Sequence, residues 1–221
     1  KEIFHEAIYA WNPHNATFEN LTISHLHGWP TDGIQLAGGD TVTIRGNFIN
    51  MSGSNTNKGA FIVTDSAVEA DNYLIEYNEV HHGNFGIESE GDNHMVRYNY
   101  AKDQGTESGA AWASGLYASG EAGGNNITWA YNIVVDSVNG YYGFGDKNFS
   151  NYKIYNNIFI NTERGLYYDS GADISGEFKN NIIWNASGRA ILIDNTASII
   201  GGETWTSDNN IIGPEANNYI R

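Results

Sequence analysis

The 221-residue chain has no cysteine, so no disulfide framework holds it and its composition carries no mark of redox compartment. Cationic side chains are scarce: 11 Lys and Arg stand against 26 Asp and Glu, a formal charge of −15. A nucleic-acid backbone demands a basic face and anionic lipids a polybasic one, so both are excluded as expected partners. A polyanionic substrate stays open, because a bound cation can invert the local field. No run of 18 apolar residues occurs, which predicts no membrane insertion. No signal peptide is visible; the chain begins abruptly at Lys1, as a mature form or a fragment of a longer chain would. A sustained 3.6-residue apolar stripe is also missing, so little helix is expected.

What the chain has is repetition. A phrase reading apolar, any, any, Asn, any, apolar recurs as Ile44–Ile49, Ile75–Val80 and Val96–Ala101, and again around Asn132, Asn157, Asn181 and Asn210. The stretch from Leu21 to His27 looks like a degenerate first copy without the Asn. Successive Asn positions (47, 78, 99, 132, 157, 181, 210) fall 31, 21, 33, 25, 24 and 29 residues apart. Periods of that size mark stacked-repeat architectures.

Between the Asn phrases lies a Gly followed by alternating apolar residues. It opens at Gly33, Gly86, Gly115 and Gly165, more loosely at Gly59 and Gly143, and with Ala190 in the Gly place. Period-two alternation predicts strands. Each repeat then holds three short strands, and the 21-residue minimum is about one bare turn of them at roughly 3.3 Å per residue. The chain is expected to coil, with each strand paired to its counterpart one coil on. The expectation is one all-β domain over residues 1–221, a parallel β-helix of about 7–8 coils.

These two phrases resemble those of the right-handed parallel β-helices of the pectate-lyase-like superfamily, over about residues 17–212. The resemblance implies an Asn ladder in the turn between the second and third strands, where Asn tolerates the left-handed conformation and its amide bonds to the next Asn. It also implies a polysaccharide as partner and a groove on the Gly-strand sheet. The superfamily holds lyases, hydrolases, epimerases and non-catalytic stalks, so it leaves activity open.

Loop lengths point to the same sheet. From each ladder Asn to the following Gly the distances are 12, 8, 16, 11 and 8 residues, starting at Asn47, Asn78, Asn99, Asn132 and Asn157. The long insertions, residues 52–58 and 103–114, bracket the shortest coil and would wall a groove over it. With the Gly strands in register, Ile34, Ile87, Leu116, Phe144, Leu166 and Ile191 face inward. Gln35, Phe61, Glu88, Tyr117, Gly145, Tyr167 and Leu192 face out. The next outward column would run Ala37, Asp65, Glu90, Ser119, Lys147, Asp169, Asp194. Stacked carboxylates about 4.8 Å apart repel, so a cation or a raised pKa is expected to compensate them.

By the resemblance to the lyases, Asp65, Glu88 and Glu90 would hold Ca²⁺ and Lys147 would be the base. By the resemblance to the hydrolases, Glu88 paired with Glu90 or Asp65 would act as acid and base. Pectate-lyase arginines and the polygalacturonase double-Asp motif are both absent from the matching positions. Tyr117, Tyr167 and Trp112 would offer aromatic surface to sugar rings, with Asp169 beside them and His82 at the groove's entrance. His25 and His27 alternate but lack a third ligand at matching spacing.

The leading expectation is a secreted or cell-surface carbohydrate-active protein, a polysaccharide lyase or glycoside hydrolase. The alternative is a non-catalytic adhesin, stalk or fibre subunit stacking head to tail through uncapped ends. Six N-x-[ST] sequons, at Asn15, Asn20, Asn50, Asn126, Asn148 and Asn185, fit an exported and glycosylated chain, though an Asn-rich sequence also forms them by chance.

Overall fold

The computed structural model describes residues 6–24, 32–52, 59–64, 69–107, 109–119, 124–144, 149–169, 173–193, 198–199 and 205–213. Among them there is no helix, and every strand pairing is parallel. Three sheets wrap one narrow core. Sheet A holds 8 strands, from Ile8–Trp11 to Ile191–Ile193; sheet C holds 8, from Thr22–Ser24 to Ile211–Ile212; sheet B is 13-stranded, with some coils contributing two short pieces. Each strand bonds to its equivalent one coil away rather than to its sequence neighbour, so the chain rises as a solenoid.

The alternation that predicts strands also sets their faces. On sheet A the pairing runs Ile8, Ile34, Phe61, Ile87, Leu116, Tyr141, Leu166, Ile191. Of these, Ile34, Ile87, Leu116, Tyr141 and Leu166 are fully buried, as are Ile44, Ile75 and Val96 on sheet B and Ile49, Val80 and Val134 on sheet C. The core is thus a column three side chains wide, one from each sheet, and buries apolar surface with every added coil.

The turn between sheets B and C is two residues long and carries the ladder. Both the backbone N–H and the Nδ2 of Asn47 donate to Asn78 Oδ1, at 3.0 and 2.9 Å. The same pair of bonds joins Asn78 to Asn99, Asn99 to Asn132, Asn132 to Asn157, Asn157 to Asn181 and Asn181 to Asn210. The second Nδ2 proton reaches back to a carbonyl on sheet B, such as Ile44 O from Asn78. In the first coil Leu21 stands in the Asn place and contributes only its backbone N–H, to Asn47 Oδ1. The expected reason for Asn needs correcting. The left-handed residue is the one before each ladder Asn: Asn20, Gly46, Tyr77, Tyr98, Tyr131, Asn156, Asn180 and Asn209, all with φ between 54° and 64°. Asn is used at the ladder for its amide. Three tyrosines occupy a conformation that costs a side chain about 1–2 kcal/mol.

At the corner between sheets C and A stands a column of glycines, Gly86, Gly115, Gly140 and Gly165, adjacent in register. A Cβ on Gly140 would lie 2.4 Å from the Phe159 ring and 2.6 Å from Gly165 O. This corrects the expected phasing of that coil. Gly140, not Gly143, begins the Gly strand, so Tyr141 faces in and Tyr142 registers with Tyr117 and Tyr167, the place given to Gly145. Phe144 is half-exposed rather than inward. Three coils earlier, Phe61 pairs with the inward Ile34 and Ile87, and Ile62 takes the register beside Glu88.

Candidate functional site

On sheet A the strand Phe85–Ser89 places Glu88 on the outer face, in register with Tyr117, and Glu90 follows at its end, where the chain turns to Gly91–Asp92 of sheet B. Glu88 is 8% and Glu90 2% exposed, and Ser89 between them faces the core. Charged side chains are seldom this covered unless matched by other groups. Alongside them runs an aromatic stack. Trp112 lies 5.0 Å from Phe85, Phe85 stacks on Tyr117 at 4.1 Å, Tyr117 on Tyr142 at 5.4 Å and Tyr142 on Tyr167 at 5.0 Å. The Arg164 guanidinium closes the far end, 4.9 Å from the Tyr167 ring, and pairs with Glu163 at 2.7 Å. Tyr142 donates its hydroxyl to Asp169 Oδ2 at 2.9 Å; burial first, and then that carboxylate, push its phenol well above the ordinary range.

One wall is the long insertion after Lys102. Asn139, buried on sheet A, donates both Nδ2 protons to the insertion, to Ala111 O at 3.0 Å and Ala113 O at 2.8 Å. Arg164 adds a bond to Ala111 O and another to Asn139 Oδ1. Gln104 is fully buried at the base, and His82 Nδ1 lies 3.3 Å from Glu107 Oε1 across the wall's outer side. Sheet A thereby positions Trp112 over Phe85, beside the strand that carries Glu88.

The expected acidic stripe is broken. In the register adjoining Glu90 stand Ala37, Thr64, Ser119 and Phe144 before Asp169 is reached. Glu90 and Asp169 are therefore three coils apart, about 14 Å. Asp65 and Lys147 lie outside the described residues; their expected places in the column go to Thr64 and Phe144, because Gly59 pairs with Phe85, leaving Ala60 opposite Gly86, and Gly140 pairs in the Gly115 register. His25, His27 and residues 53–58, the second expected wall, also lie outside them. Among the described residues, no three His, Asp or Glu side chains are grouped to hold a metal ion. Glu88 and Glu90 supply two of the three carboxylates expected for Ca²⁺.

No protein-family model matches the sequence, and no curated protein matches it significantly. Solved structures do. An exopolygalacturonase from Thermotoga maritima superposes with a TM-score of 0.53 at 15% identity, covering 82% of this chain and 42% of its own. A GH136 lacto-N-biosidase from Eubacterium ramulus superposes with a TM-score of 0.51 at 11% identity, covering 96% of this chain and 45% of its own. The fold is a right-handed parallel β-helix. The chain spans less than half the length of either neighbour, and at these identities the likeness is one of fold.

Within this β-helix, several site residues escape the sequence pattern. Tyr142, Phe85, Asn139 and Arg164 all belong to the outer face of sheet A. The signal for three of them was present: Ser114-Gly115, Asn139-Gly140 and Arg164-Gly165 share one phase, with a Tyr two residues after each Gly. Tyr117, expected as an open sugar platform, is 7% exposed, with both faces covered by Phe85 and Tyr142. The aromatic surface left open belongs to Trp112, Phe144 and the half-buried Tyr167.

Proposed function

We propose that the chain is the polysaccharide-cleaving part of a secreted or cell-surface glycoside hydrolase, with Glu88 and Glu90 as its acid–base pair. The carrying observation is the burial of two carboxylates two residues apart, Glu88 on the strand and Glu90 at its end, beside an aromatic wall pinned by Asn139. Both fold neighbours bear the names of carbohydrate-cleaving enzymes, which supports the class. One carboxyl protonates the glycosidic oxygen as the bond to the anomeric carbon breaks. The other takes a proton from water as its oxygen attacks that carbon. Residues two apart on a strand are separated by about 6.6 Å, at the lower end of the ~6.5–9.5 Å that leaves room for this water, so hydrolysis proceeds with inversion. Trp112, Phe144 and Tyr167 present apolar surface to the sugar faces, and Asp169, held by Tyr142, accepts hydroxyl protons at the far end of the stack.

The test is a panel of neutral and uronate polysaccharides, followed both for new reducing ends and for the absorbance of an unsaturated uronate. Glu88→Gln and Glu90→Gln should each lower turnover by about 10²–10⁴-fold with the melting temperature preserved. Reducing ends without the absorbance, insensitive to chelator, are the expected result. Absorbance that EDTA abolishes and Ca²⁺ restores would replace this reading with a cation-held lyase site. Silence of the folded protein on every polysaccharide would leave a non-catalytic solenoid.

A further inference from the structure

The turn between sheets B and C lies away from sheet A, and its left-handed column changes character along the solenoid. Asn156, Asn180 and Asn209 use the side chain that best tolerates that backbone, and Gly46 has none. Tyr77, Tyr98 and Tyr131, on three consecutive coils, adopt it with bulky rings held out in solvent, at 56%, 41% and 50% exposure. Their rings stack at 5.1 Å with interplanar angles of 8° and 17°. Strained residues that are also exposed contribute little to a core, and such strain is a mark of function.

The stack has one open end. Tyr77 gives one face to Tyr98, and its other face looks over the coil of Gly46, which has no side chain of its own; the end of the Asn20 amide reaches to 3.1 Å from where a Gly46 Cβ would stand. Beyond Gly46 the register reaches Asn20, exposed and two coils from Tyr77, about 9.5 Å away. The result is a slot with Gly46 as floor, the Tyr77 ring as one wall and Asn20 as the other. A ring seated on Tyr77 at the usual ~4 Å carbon contact fits when the exposed Asn20 amide swings off Gly46 to lie against the ring's second face.

Beside the slot runs a ladder of alternating charge on sheet B. Glu19 bonds Arg45 at 2.9 Å, Arg45 lies 3.9 Å from Glu76, and Glu76 bonds Arg97 at 2.9 Å. Two carboxylates and two guanidiniums offer hydrogen-bond donors and acceptors with no net charge. An aromatic face, an amide opposite it and a charge-balanced polar rim are complementary to an uncharged pyranose, which has an apolar C–H face and a rim of hydroxyls.

We propose that the Tyr77–Gly46–Asn20 slot binds a sugar ring of a neutral polysaccharide, as an anchoring site separate from the cleft on sheet A. The Tyr98–Tyr131 stack holds the Tyr77 ring square to the slot. Arg45 and Glu19 bond the hydroxyls, and Asn20 covers the second face.

The test is affinity electrophoresis through gels containing barley β-glucan, xyloglucan, galactomannan or polygalacturonate. Wild type should be retarded by at least one neutral polymer, and Glu88→Gln should be retarded equally. Tyr77→Asn restores the residue used on three other coils, so it should melt no lower than wild type while affinity falls roughly three- to tenfold. Gly46→Asn keeps the left-handed backbone and the tyrosine stack but fills the slot, and should lose retardation to the same degree. Its new side chain meets only the flexible end of Asn20. Retardation of folded Tyr77→Asn or Gly46→Asn equal to wild type would overturn the proposal. So would retardation by polygalacturonate alone, or by no polymer at all. If Tyr77→Asn does not fold, the tyrosines are structural and Gly46→Asn alone decides.

Discussion

Ser89 Oγ lies 2.6 Å from His94 Nδ1 inside the coil, and His94 Nε2 lies 2.9 Å from Ala70 O. A carbonyl only accepts, so Nε2 carries the proton and Nδ1 accepts from the serine hydroxyl. The pair is closed off from solvent, at 0% and 1% exposure, and ties the strand of Glu88 to the coil before it through Ala70.

This histidine should make stability fall in acid. Burial pushes its pKa down to about 4, below the ordinary 6.5. Between those values the unfolded chain binds a proton that the folded chain does not, so stability is lost as pH drops from about 6.5 towards 4. The loss is on the order of 3 kcal/mol at most. Melting curves at pH 7.5 and 5 should show a larger drop for wild type than for His94→Phe. Equal drops would mean that other groups set the acid limit.

The ladder sets a second expectation. Asn99 donates to Asn132 from both backbone and side chain, returns a bond to Ile75 O and accepts two from Asn78. Asn99→Ala strands the Asn78 donors and the Ile75 carbonyl in a dry turn, at a cost of about 1–3 kcal/mol for each group left unsatisfied. Asn47→Ala, nearer the end, should cost less, because Leu21 above it contributes one donor where Asn78 contributes two. Chemical denaturation of both variants checks the order.

The ladder positions were legible because one residue type recurs at the same place in every coil. The phase of the Gly strands was legible where the glycine itself stands in the corner column, as at Gly86, Gly115 and Gly165; after Gly59 it is Ala60 that does, and the expected phase is off by one. Around residue 140 three glycines satisfy the same alternation, and what selects Gly140 is the Phe159 ring and the Gly165 carbonyl, contacts made from the next coil. Gly143 serves a different need, leaving room for the Tyr168 ring. An error of three residues there moved Tyr142 out of view and put Lys147 into the acidic column. The tyrosines at the left-handed turn positions run against conformational preference, so no rule of local propensity finds them. Glu88 takes the register expected for it, beside Tyr117, because Gly86 opens the alternation directly before Ile87.

A sharper test of the phase is Gly140→Ala. The added methyl meets the Phe159 ring and a backbone carbonyl, neither of which can retreat, so about 3 kcal/mol should be lost. Gly109→Asn has open space and a left-handed φ of 65°, and should be neutral within about 0.5 kcal/mol. Thermal melts that rank the two the other way would contradict the corner geometry.

On sheet B, Asp40, Asp71 and Asp92 occupy consecutive coils in register. Burial, then Asp92, Glu69 and Asp40, raise the pKa of Asp71. A carboxyl with a raised folded pKa weakens the fold as pH climbs past its ordinary value of 3.8, so Asp71→Asn should stabilise at neutral pH. Asp71 is largely solvated, so the gain is screened to within about 0.5 kcal/mol and should shrink in high salt. A melting temperature that falls in Asp71→Asn at low salt would indicate a compensating partner.

Asn139 connects fold to function most directly. Its amide donates to Ala111 O and Ala113 O, its carbonyl accepts from Arg164, and it is fully buried on the same face as Glu88. Asn139→Ala removes three side-chain bonds, but Ala111 O keeps Arg164, Ala113 O keeps the backbone N–H of residue 139 and the guanidinium keeps Glu163, so about 1 kcal/mol of stability should go. The insertion bearing Trp112 then loses its side-chain amide tether and keeps the Arg164 bond to Ala111 O, while Glu88 and Glu90 belong to a separate strand and its end, which keep their pairings on both sides. On the proposed hydrolase, this should raise KM more than it lowers kcat, because the wall binds sugar and the carboxylates do the chemistry. Trp112→Ala should produce the same kinetic change with little loss of stability, since Trp112 is only half-buried. A fall in kcat at unchanged KM in both variants would place the insertion in the reacting geometry itself, and the division of labour between wall and strand would be wrong.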